Sequence, residues 1–321
     1  MLDPLISVLM PVRNSEIFVA QAIESILSQT FTDFELIIVD DGSTDNTLSV
    51  VKKYDDNRIR LFESDHRGVA YQTNFAAMHS RGKYLTKMDA DDISHANRLA
   101  EHYSFLGENP NVELVGNNIR LIDSKNKNLG VKKFPESNSD INYFLPIRPT
   151  VFNGTMTVSR KTFEALGGYN VQLEVGEDHD FLIRVCSAGY NCYNIQKELY
   201  FYRIYERKEN ERKIVMQNKI SYEIGKKYLE LQSDKVGKVG YDYNYKMGLI
   251  EYYRGSISES KKYFFSAIRA RRNHFFHLGR FIIISSLLAR QIQALREMGI
   301  MRKMNSLFNR YLAIDMQNLK R

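Results

Sequence analysis

The sequence predicts an α/β protein with a mostly parallel sheet flanked by helices, followed by an all-helical C-terminal region. Up to about residue 207, short runs of apolar and β-branched residues alternate with segments of helical apolar spacing. Such alternation is typical of parallel strands that are connected by helices. After about residue 207 the apolar residues recur only at helical spacing, so no further strand is expected there.

The first half of the α/β region, about residues 1–118, contains five predicted strands and four predicted helices. The strands are expected at residues 6–10, 34–39, 59–62, 84–88 and 112–116. The helices are expected at residues 16–28, 46–54, 68–79 and 95–109. Because the carboxyl ends of parallel strands meet at one edge of a sheet, Pro11, Asp41 and the acidic cluster at residues 89–92 should converge there.

The second half, about residues 119–207, has a less regular pattern. Strands are expected at residues 155–158, 192–195 and 199–204, and helices at residues 161–166 and 178–188. Residues 138–149 fit either a helix or a loop, and residues 125–128 form a predicted turn. Gly167 and Gly168 should end the helix before them, because glycine readily adopts the left-handed conformation found at helix ends.

Three carboxylates, Asp89, Asp91 and Asp92, follow the fourth predicted strand within four residues. Burying such a cluster is costly unless positive charge offsets it. A divalent cation is one answer, since carboxylate oxygens suit Mg²⁺ or Mn²⁺ and substrate phosphates usually complete the coordination. The alternative is a solvated acidic turn that interacts with the dipole of the next helix. The expected convergence of the strand ends favours the metal site.

Composition and motif content disfavour several classes of protein. A hydrophobic content of 43% in 321 residues supports a sizeable core, and two cysteines form no disulfide framework, which favours a reducing compartment. The chain starts with a strand pattern rather than a signal peptide, and no apolar run reaches the roughly 20 residues of a membrane-spanning helix. A cytoplasmic location is therefore expected. The absence of Gly-rich dinucleotide, P-loop and Gly-x-Ser-x-Gly motifs disfavours the corresponding oxidoreductases, kinases and hydrolases.

Six short segments stand out by their order and spacing. They are ISVLMPVRN at residues 6–14, SILSQT at 25–30, FELIIVDDGSTD at 34–45, GKYLTKMDADD at 82–92, GGY at 167–169 and EDHDFLIR at 177–184. Together they resemble the family 2 glycosyltransferases of the GT-A fold over about residues 5–205. The resemblance implies one GT-A domain at residues 1–207, with a nucleotide-binding half and an acceptor-binding half, and a reaction that inverts the anomeric centre. The chain has no Trp, so the Gln-x-x-Arg-Trp motif of processive synthases is absent and transfer of a single sugar is expected.

The resemblance implies roles for the acidic cluster in metal and donor binding. Asp91 matches the direct ligand of the Mn²⁺ or Mg²⁺ ion. Asp89 matches a residue that lies near the ribose or binds the metal through water, and Asp92 is a supporting residue. A bound cation would neutralise the negative charge that grows on the leaving nucleoside diphosphate.

The resemblance also implies a nucleotide site. Asp41 matches the position that hydrogen-bonds the base, typically the uracil N3–H, while Pro11 and Arg13 match the wall on which the base sits. A UDP-sugar donor is expected, although Arg13 stands where an aromatic residue is common in the family. Capping of the next helix by Asp40 and Asp41 is the alternative.

For the acceptor side, the resemblance gives Asp178 the role of general base, with Glu177 in support. A carboxylate beside another acid at a helix start suits this role, because like charge raises its proton affinity towards the working range. The alternative is that both acids only complement the helix dipole. Arg203 matches loosely a basic residue that closes over the diphosphate, and it fits a solvated strand charge equally well.

The sequence therefore predicts an inverting, metal-dependent glycosyltransferase that moves one sugar from a nucleotide-sugar, a UDP-sugar by preference, to a hydroxyl of a glycan or lipid-linked acceptor. A non-catalytic binding or scaffold protein of the same fold is one alternative. A sugar-phosphate nucleotidyltransferase is another, although the acidic pair at residues 177–178 argues against it.

The C-terminal region, residues 208–321, carries the basic character of the chain. Residues 261–321 contain 13 Lys and Arg but only two acids, Glu297 and Asp315, and their apolar residues recur at helical spacing. Basic amphipathic helices bind anionic membrane surfaces, here the inner face of the cell membrane. A homodimer interface or a helical subdomain explains the same pattern. Nucleic acid is not an expected partner, because no recognisable binding module is present.

Overall fold

The structure is a computed structural model that describes residues 3–205, 210–236, 241–254 and 256–270. The chain divides into two compact units, Met1–Gly225 and Lys226–Arg321. The first unit contains the α/β fold. Most of the basic tail, from residue 271 onward, lies outside the described residues, and the predicted membrane or dimer surface lies there with it.

Four strands and three helices make up the N-terminal part of the α/β fold. They are β1 (Ile6–Val12), α1 (Val19–Leu27), β2 (Phe34–Asp41), α2 (Thr47–Val51), β3 (Ile59–Ser64), α3 (Val69–His79) and β4 (Tyr84–Lys87). The strands lie in the order β3-β2-β1-β4, and every neighbouring pair is parallel. β2 is buried along its whole length, which explains its continuous apolar run. The predicted alternation of strands and helices is confirmed.

The sheet continues through the second half of the unit. Its elements are β5 (Ile93–Ser94), α4 (Arg98–Glu108), β6 (Val112–Ile122), β7 (Asn128–Lys132), α5 (Asn138–Phe144), β8 (Thr157–Ser159), α6 (Arg160–Ala165), α7 (Glu177–Ser187) and β9 (Asn191–Arg203). A short 3₁₀ helix, Asn153–Thr155, precedes β8. The order continues β4-β8-β6-β9-β5, with β7 on β6. β8 is antiparallel to both its neighbours, whereas β6 and β9 are parallel. The predicted α/β class is confirmed.

The second half differs from the prediction at three strands. β9 is a single strand where two were expected, because its register against β6 shifts near Asn118 and breaks the alternation of side chains. β7 forms a hairpin with β6 where only a turn was expected. β5 has two residues, paired with Phe201 and Tyr200 of β9, and is too short to give a sequence pattern.

The register of the parallel strands brings their carboxyl ends to one edge. Val12 of β1 lies beside Asp40 of β2, and Leu9 of β1 lies beside Lys87 at the end of β4. Below this edge Ile6, Val8 and Met10 of β1 are completely buried in the same apolar core as residues of α1 such as Ile23. Each buried side chain of this size contributes about 1.5–3 kcal/mol to folding, so the edge rests on a well-packed core.

The described part of the C-terminal region is helical, as predicted. It comprises α8 (Asn210–Val236), α9 (Tyr241–Arg254) and α10 (Ile257–Ala270). In the second unit Gly248 of α9 lies against Phe264 of α10, where a Cβ would come within 2.6 Å of the ring. The Ser260 hydroxyl donates to the Gly248 carbonyl at 2.9 Å. Among the helices that the structure describes, none is both long and apolar enough to cross a membrane.

Candidate active site

The acidic loop, residues 88–92 between β4 and β5, turns its carboxylates in different directions. Asp92 is fully buried and accepts hydrogen bonds from the Tyr200 hydroxyl (2.8 Å) and the Arg203 main-chain N–H (2.7 Å). Burial raises the pKa of Asp92 to about 8, and the charge of Asp89 adds to this effect. Asp92 therefore fastens the loop to β9, and the alternative of a solvated acidic turn is wrong for this residue. Asp89 and Asp91 are partly exposed at the sheet edge.

Two buried cations lie beneath the acidic loop, and neither was predicted as a site residue. Lys87 donates from Nζ to Asp89 Oδ1 at 2.6 Å, with its side chain 3% exposed. Arg98, the first residue of α4, is fully buried and donates to the carbonyls of Gly154 (2.8 Å) and Lys87 (3.2 Å). Burial lowers the pKa of Arg98 to about 10 despite the opposing effect of nearby acids. The chain thus supplies part of the positive charge that the cluster requires. A lysine at the end of a buried strand was the one sequence signal for this arrangement.

Asp41, the last residue of β2, binds the loop before α3 and the first turn of that helix. Its carboxylate accepts from the Arg67 main-chain N–H (2.7 Å), from Gln72 Nε2 (2.5 Å) and from His66 Nδ1 (2.7 Å). Burial opposes ionisation of Asp41, but these hydrogen bonds outweigh it and lower the pKa. None of these donors belongs to α2, so the capping alternative is wrong for Asp41. Asp40 accepts from a main-chain N–H of the following turn at 3.1 Å.

Arg13 extends the arrangement around Asp41. Its Nη1 contacts Nε2 of His66, whose other ring nitrogen is bound to Asp41. When Nδ1 of a neutral imidazole donates to the carboxylate, Nε2 is an acceptor and suits the guanidinium. Pro11 of β1 lies beside Val39 of β2. The structure therefore links Arg13 to Asp41 through His66, which was not predicted. Pro11 lies on the neighbouring strand, whereas Asp89 belongs to the acidic loop. A histidine shortly after β3 was the only sequence signal for His66.

The predicted catalytic acids lie at the start of α7. Glu177 follows Gly176, which has a φ of 83°, and it is the first residue of the helix. Glu177 is buried, and burial together with the charge of Asp178 raises its pKa to about 7. Burial also raises the pKa of Asp178, whose Oδ1 accepts from the His179 N–H at 2.8 Å. The charge of Asp89 raises the pKa of both acids, so the start of α7 lies within electrostatic range of the acidic loop.

Asn74 of α3 holds the Gly-Gly-Tyr turn at residues 167–169, which precedes α7. Its side chain accepts from the Tyr169 N–H and donates to the Tyr169 carbonyl, both at 2.8 Å. Gly168 has a φ of 66°, and a Cβ there would lie 2.5 Å from Asn74 Oδ1. Arg184 of α7 donates to the Gly168 carbonyl at 2.8 Å. The turn is thus bound to α3 of the first half by Asn74 and to α7 of the second half by Arg184.

Arg203 is 2% exposed, so the alternative of a solvated strand charge is wrong. Its guanidinium donates to the Asp91 carbonyl (2.7 Å), Asn126 Oδ1 (2.6 Å) and Gln21 Oε1 (2.8 Å). The same group lies 4.3 Å from the centroid of the Phe18 ring. With a further bond from Nη1 to the Asp123 carbonyl at 3.1 Å, four of the five guanidinium N–H donors are used within the protein. In this structure Arg203 therefore holds the acidic loop against α1.

The carboxylates fit a metal that binds together with a phosphorylated substrate. Within the described ranges, no group of three or more His, Cys, Asp or Glu side chains could hold a metal ion. Asp91 Oδ2 accepts from the Tyr205 hydroxyl at 3.1 Å, which positions the carboxylate. Mg²⁺ and Mn²⁺ usually bind through one or two carboxylates plus substrate phosphates and water. Asp91, with Asp89 beside it, supplies that kind of donor set.

The chain is similar in sequence to known glycosyltransferases. Residues 7–167, half of the chain, match the sequence model of "Glycosyl transferase family 2". The putative glycosyltransferase EpsE of Bacillus subtilis is 32% identical over 204 residues, which cover 61% of this chain and 72% of the relative. A UDP-Glc:alpha-D-GlcNAc-diphosphoundecaprenol beta-1,3-glucosyltransferase of Escherichia coli, WfgD, is 36% identical over 133 residues, which cover 41% of this chain and 51% of the relative.

Two solved structures share the fold at low sequence identity. TarS of S. aureus (residues 1–349), in complex with UDP-GlcNAc, matches with a TM-score of 0.55 and 18% identity, over 80% of this chain and 90% of that structure. The mannosyltransferase PcManGT of Pyrobaculum calidifontis, in complex with GDP-Man and Mn²⁺, matches with a TM-score of 0.52 and 17% identity, over 84% and 88%. At this level of identity the likeness establishes the fold alone.

Proposed function

Because the chain belongs to glycosyl transferase family 2, we propose that it inverts the anomeric centre while moving one sugar from a nucleotide-sugar to a hydroxyl of a glycan or lipid-linked acceptor. One observation carries the proposal. The Asp41 cluster and the acidic loop follow parallel strands whose carboxyl ends meet at one edge, and the charge of Asp89 in the loop acts on both acids of α7. Substrates bind at this edge in open α/β sheets.

The group around Asp41 supports binding of the nucleotide base. Arg13 and His66 contact each other next to Asp41, and Pro11 is partly exposed on the neighbouring strand, where its ring suits packing against the face of a base. Uracil offers one N–H donor between two carbonyls, which matches a carboxylate acceptor with neighbouring donors. A UDP-sugar is therefore the proposed donor. TarS, in complex with UDP-GlcNAc, is an example of this donor class on the same fold.

Asp91 and Asp89 are proposed to hold a Mn²⁺ or Mg²⁺ ion. When bound, this ion would neutralise charge on the leaving diphosphate. Lys87 and Arg98 keep the acidic loop folded in the absence of the ion, because these buried cations offset part of the carboxylate charge. Asp92 is outside the proposed ligand set, since its carboxyl is enclosed by Tyr200 and the Arg203 main chain.

Asp178 is the proposed general base. The acceptor oxygen attacks the anomeric carbon and its proton passes to the Asp178 carboxylate. The bond from the anomeric carbon to the diphosphate breaks at the same time, and its electron pair leaves with the nucleoside diphosphate. Asp178 is more exposed than Glu177, and its raised pKa makes it a stronger proton acceptor than an ordinary aspartate. Glu177 is buried beside Asp178 and has a supporting role in the proposal.

A lipid-linked acceptor is proposed on the strength of one relative. WfgD is named for an acceptor on diphosphoundecaprenol, and the aligned part spans 51% of that protein.

The test separates catalysis from donor binding with two variants. Asp178→Asn keeps the shape of the side chain but removes the proton acceptor. Its transfer rate should fall by about 10²–10⁴-fold, the usual contribution of general-base catalysis, while its affinity for UDP-sugar with Mn²⁺ stays close to the wild-type value. Asp91→Asn should lose metal-dependent donor binding as well. Calorimetric titration measures the donor affinity of each variant, and initial rates measure its transfer activity.

Asp55→Asn is the matched control, because Asp55 is exposed in the loop between α2 and β3. It should change neither quantity. Transfer at the wild-type rate by Asp178→Asn assigns the base to another residue, and loss of donor binding by that variant assigns Asp178 to the nucleotide or metal site. Full turnover of the wild type in excess EDTA contradicts the metal requirement.

A further inference from the structure

Lys132, the last residue of β7, holds its ammonium near an aromatic ring. The ammonium lies 5.2 Å from the centroid of the Phe134 ring, and the lysine is exposed to solvent. Residues i and i+2 of an extended chain share one face, so Lys132 and Phe134 lie on one side of the chain and Lys133 on the other. Within the described residues Lys132 forms no ion pair, so its charge is open to a ligand.

The charges around Lys132 show what its ammonium faces. The surrounding protein partly removes the ammonium from water and lowers the pKa of Lys132, and the charge of Arg148 lowers it further. The charge of Asp178, the proposed general base, acts in the opposite direction. A side chain that is open to solvent and yet surrounded by protein lines a cleft. Lys132 therefore lies in a cleft, within electrostatic range of both Arg148 and Asp178.

Asn194 of β9 fixes the chain near both basic residues. Its Nδ2 donates to the carbonyls of Pro135 (2.6 Å) and Thr150 (2.9 Å). Pro135 is three residues after Lys132, and Thr150 is two residues after Arg148. One buried amide thus joins the end of the β6–β7 hairpin to the loop after α5.

The loop after α5 is also bound to the start of α7. Nε2 of His179, the residue after Asp178, donates to the carbonyl of Leu145 at 2.7 Å. Both His179 and Leu145 are fully buried, so this bond is shielded from water. The hairpin, the loop after α5 and the start of α7 are therefore connected, and Lys132 and Asp178 are fixed relative to each other.

Ring contacts connect the hairpin to the acidic loop. The centroid of the Phe152 ring lies 6.2 Å from that of Phe134 and 5.8 Å from that of Tyr200. The Tyr200 hydroxyl accepts from the Asp89 main-chain N–H at 3.2 Å. Lys132 is therefore held in place relative to the acidic loop as well as to the proposed base.

A phosphate group has the chemistry that this position recognises. An ammonium offers three donors and a full positive charge, and charge-assisted hydrogen bonds to phosphate are stronger than bonds between neutral groups. Glu177 and Asp178 are acids and do not attract an anion, so a phosphate in this cleft would lie at the hairpin rather than at α7. An acceptor whose hydroxyl reaches Asp178 would therefore meet Lys132 with another part of its structure.

We propose that Lys132 binds a phosphate group of the acceptor while an acceptor hydroxyl lies at Asp178. The inference rests on the proposed function, and it narrows the acceptor to phosphate-bearing molecules. Lys132 makes the direct contact, and Arg148 adds its positive charge to the same part of the cleft. The phosphate belongs either to the diphosphate of a lipid carrier or to a phosphate ester within a glycan, since both present the same chemistry.

The experiment measures phosphate binding with the nucleotide site filled. Isothermal titration in saturating UDP compares N-acetylglucosamine 1-phosphate, the neutral methyl N-acetylglucosaminide, and geranyl diphosphate. The wild type should bind both phosphate probes more tightly than the neutral glycoside. Lys132→Gln should weaken binding of the phosphate probes on the order of tenfold, the lower end of what a hydrogen bond to a charged group contributes, because the site is open to solvent.

The two phosphate probes distinguish the two sources of the phosphate. Tighter binding of geranyl diphosphate assigns the phosphate to a lipid carrier, whereas tighter binding of the sugar phosphate assigns it to a phosphorylated glycan. Either result supports the proposal when the binding depends on Lys132.

Lys133→Gln is the matched control, because it removes the same charge from the neighbouring residue on the opposite face of the chain. It should change the phosphate affinities by less than about twofold. Lys132→Arg keeps the charge and should retain most of the binding. An equal loss in Lys133→Gln, unchanged phosphate binding by Lys132→Gln, or a wild type without preference for phosphate overturns the proposal.

The proposed function has a separate readout in the same preparations. Binding of UDP and hydrolysis of a UDP-sugar by the wild type require no acceptor phosphate. A wild type that binds UDP and hydrolyses the donor, but shows no phosphate binding that depends on Lys132, overturns this inference alone. A wild type that shows none of these properties overturns the proposed function as well.

Discussion

A single tyrosine, Tyr200 of β9, connects most of the buried charges beneath the acidic loop. Its hydroxyl donates to Asp92 at 2.8 Å and accepts from the Asp89 N–H at 3.2 Å. The Arg98 guanidinium lies 5.1 Å from the centroid of its ring. Burial raises the pKa of Tyr200 well above its usual range, and the two acids add to this effect. The phenol therefore stays neutral and keeps its proton for Asp92.

At Asp41 we expect recognition of the nucleotide base. UDP should raise the melting temperature more than GDP or ADP does, and Asp41→Asn should remove this preference because an amide cannot accept the same hydrogen bonds. The variant should also melt earlier, since the buried donors of Arg67 and Gln72 lose an acceptor, at about 1–3 kcal/mol. Differential scanning fluorimetry with each nucleotide measures both effects.

Asp56→Asn separates stability from recognition. Asp56 accepts hydrogen bonds from its neighbour Arg58 in the loop before β3, so this variant should also lose stability. It should nevertheless keep the preference for UDP. Equal stabilisation of the wild type by all three nucleotides would remove the base assignment of Asp41 and leave the enzyme class intact.

Among the elements, α7 depends on α3 for its position. The two hydrogen bonds between Asn74 and Tyr169 are the direct side-chain link from α3 to the turn that precedes α7. Arg184 ties the same turn to the body of α7. The helix that carries the proposed base is thus anchored to a helix whose first turn contacts Asp41. Small shifts of catalytic groups lower rates strongly, so this anchoring matters for turnover.

The two glycines of the turn allow a matched comparison. Gly167 and Gly168 both have positive φ, 73° and 66°, but only a Cβ on Gly168 would collide with Asn74. Gly167→Ala should cost about 1–2 kcal/mol in unfolding free energy, the usual penalty for the left-handed conformation. Gly168→Ala should cost at least about 1–3 kcal/mol more, because it also displaces the hydrogen bonds of Asn74. Urea unfolding of both variants measures the difference.

A double-mutant cycle identifies the source of that difference. In an Asn74→Ala background the excess cost of Gly168→Ala should shrink, because the displaced hydrogen bonds are already absent. An unchanged excess would assign the effect to Phe163, whose ring lies 3.0 Å from the same Cβ position.

Across the whole molecule, the sequence was sufficient to predict which strand ends carry polar groups. Asp41 and the acidic loop follow apolar runs that are buried on both faces, and parallel strands necessarily align such ends. The buried partners of these groups were not predictable in this way. Arg98 lies on a helix whose spacing gives no sign that it points inward, and its acceptor Gly154 is distant in the sequence. His66 follows a partly exposed strand that shows no distinctive pattern. Long-range contacts of this kind are set by tertiary packing rather than by local periodicity.

The basic tail, residues 261–321, gives a prediction for the whole chain that rests on its sequence. The full-length protein should sediment with vesicles of anionic lipid at low salt and be released as the ionic strength rises, because screening weakens attraction between basic side chains and the lipid surface. Vesicles of neutral lipid serve as the control. Failure to bind anionic vesicles, or equal binding to neutral ones, favours a packing or dimer role for this segment.

The Asn74–Tyr169 link has a consequence for the construction of hybrid enzymes. Both of its hydrogen bonds end on the main chain of Tyr169, so the link is independent of the side chain at that position. A second half taken from another family member would reproduce this link to α3 only if it presents the same glycine turn. Exchange of acceptor-binding segments between relatives therefore has to keep Asn74 and Gly168 together.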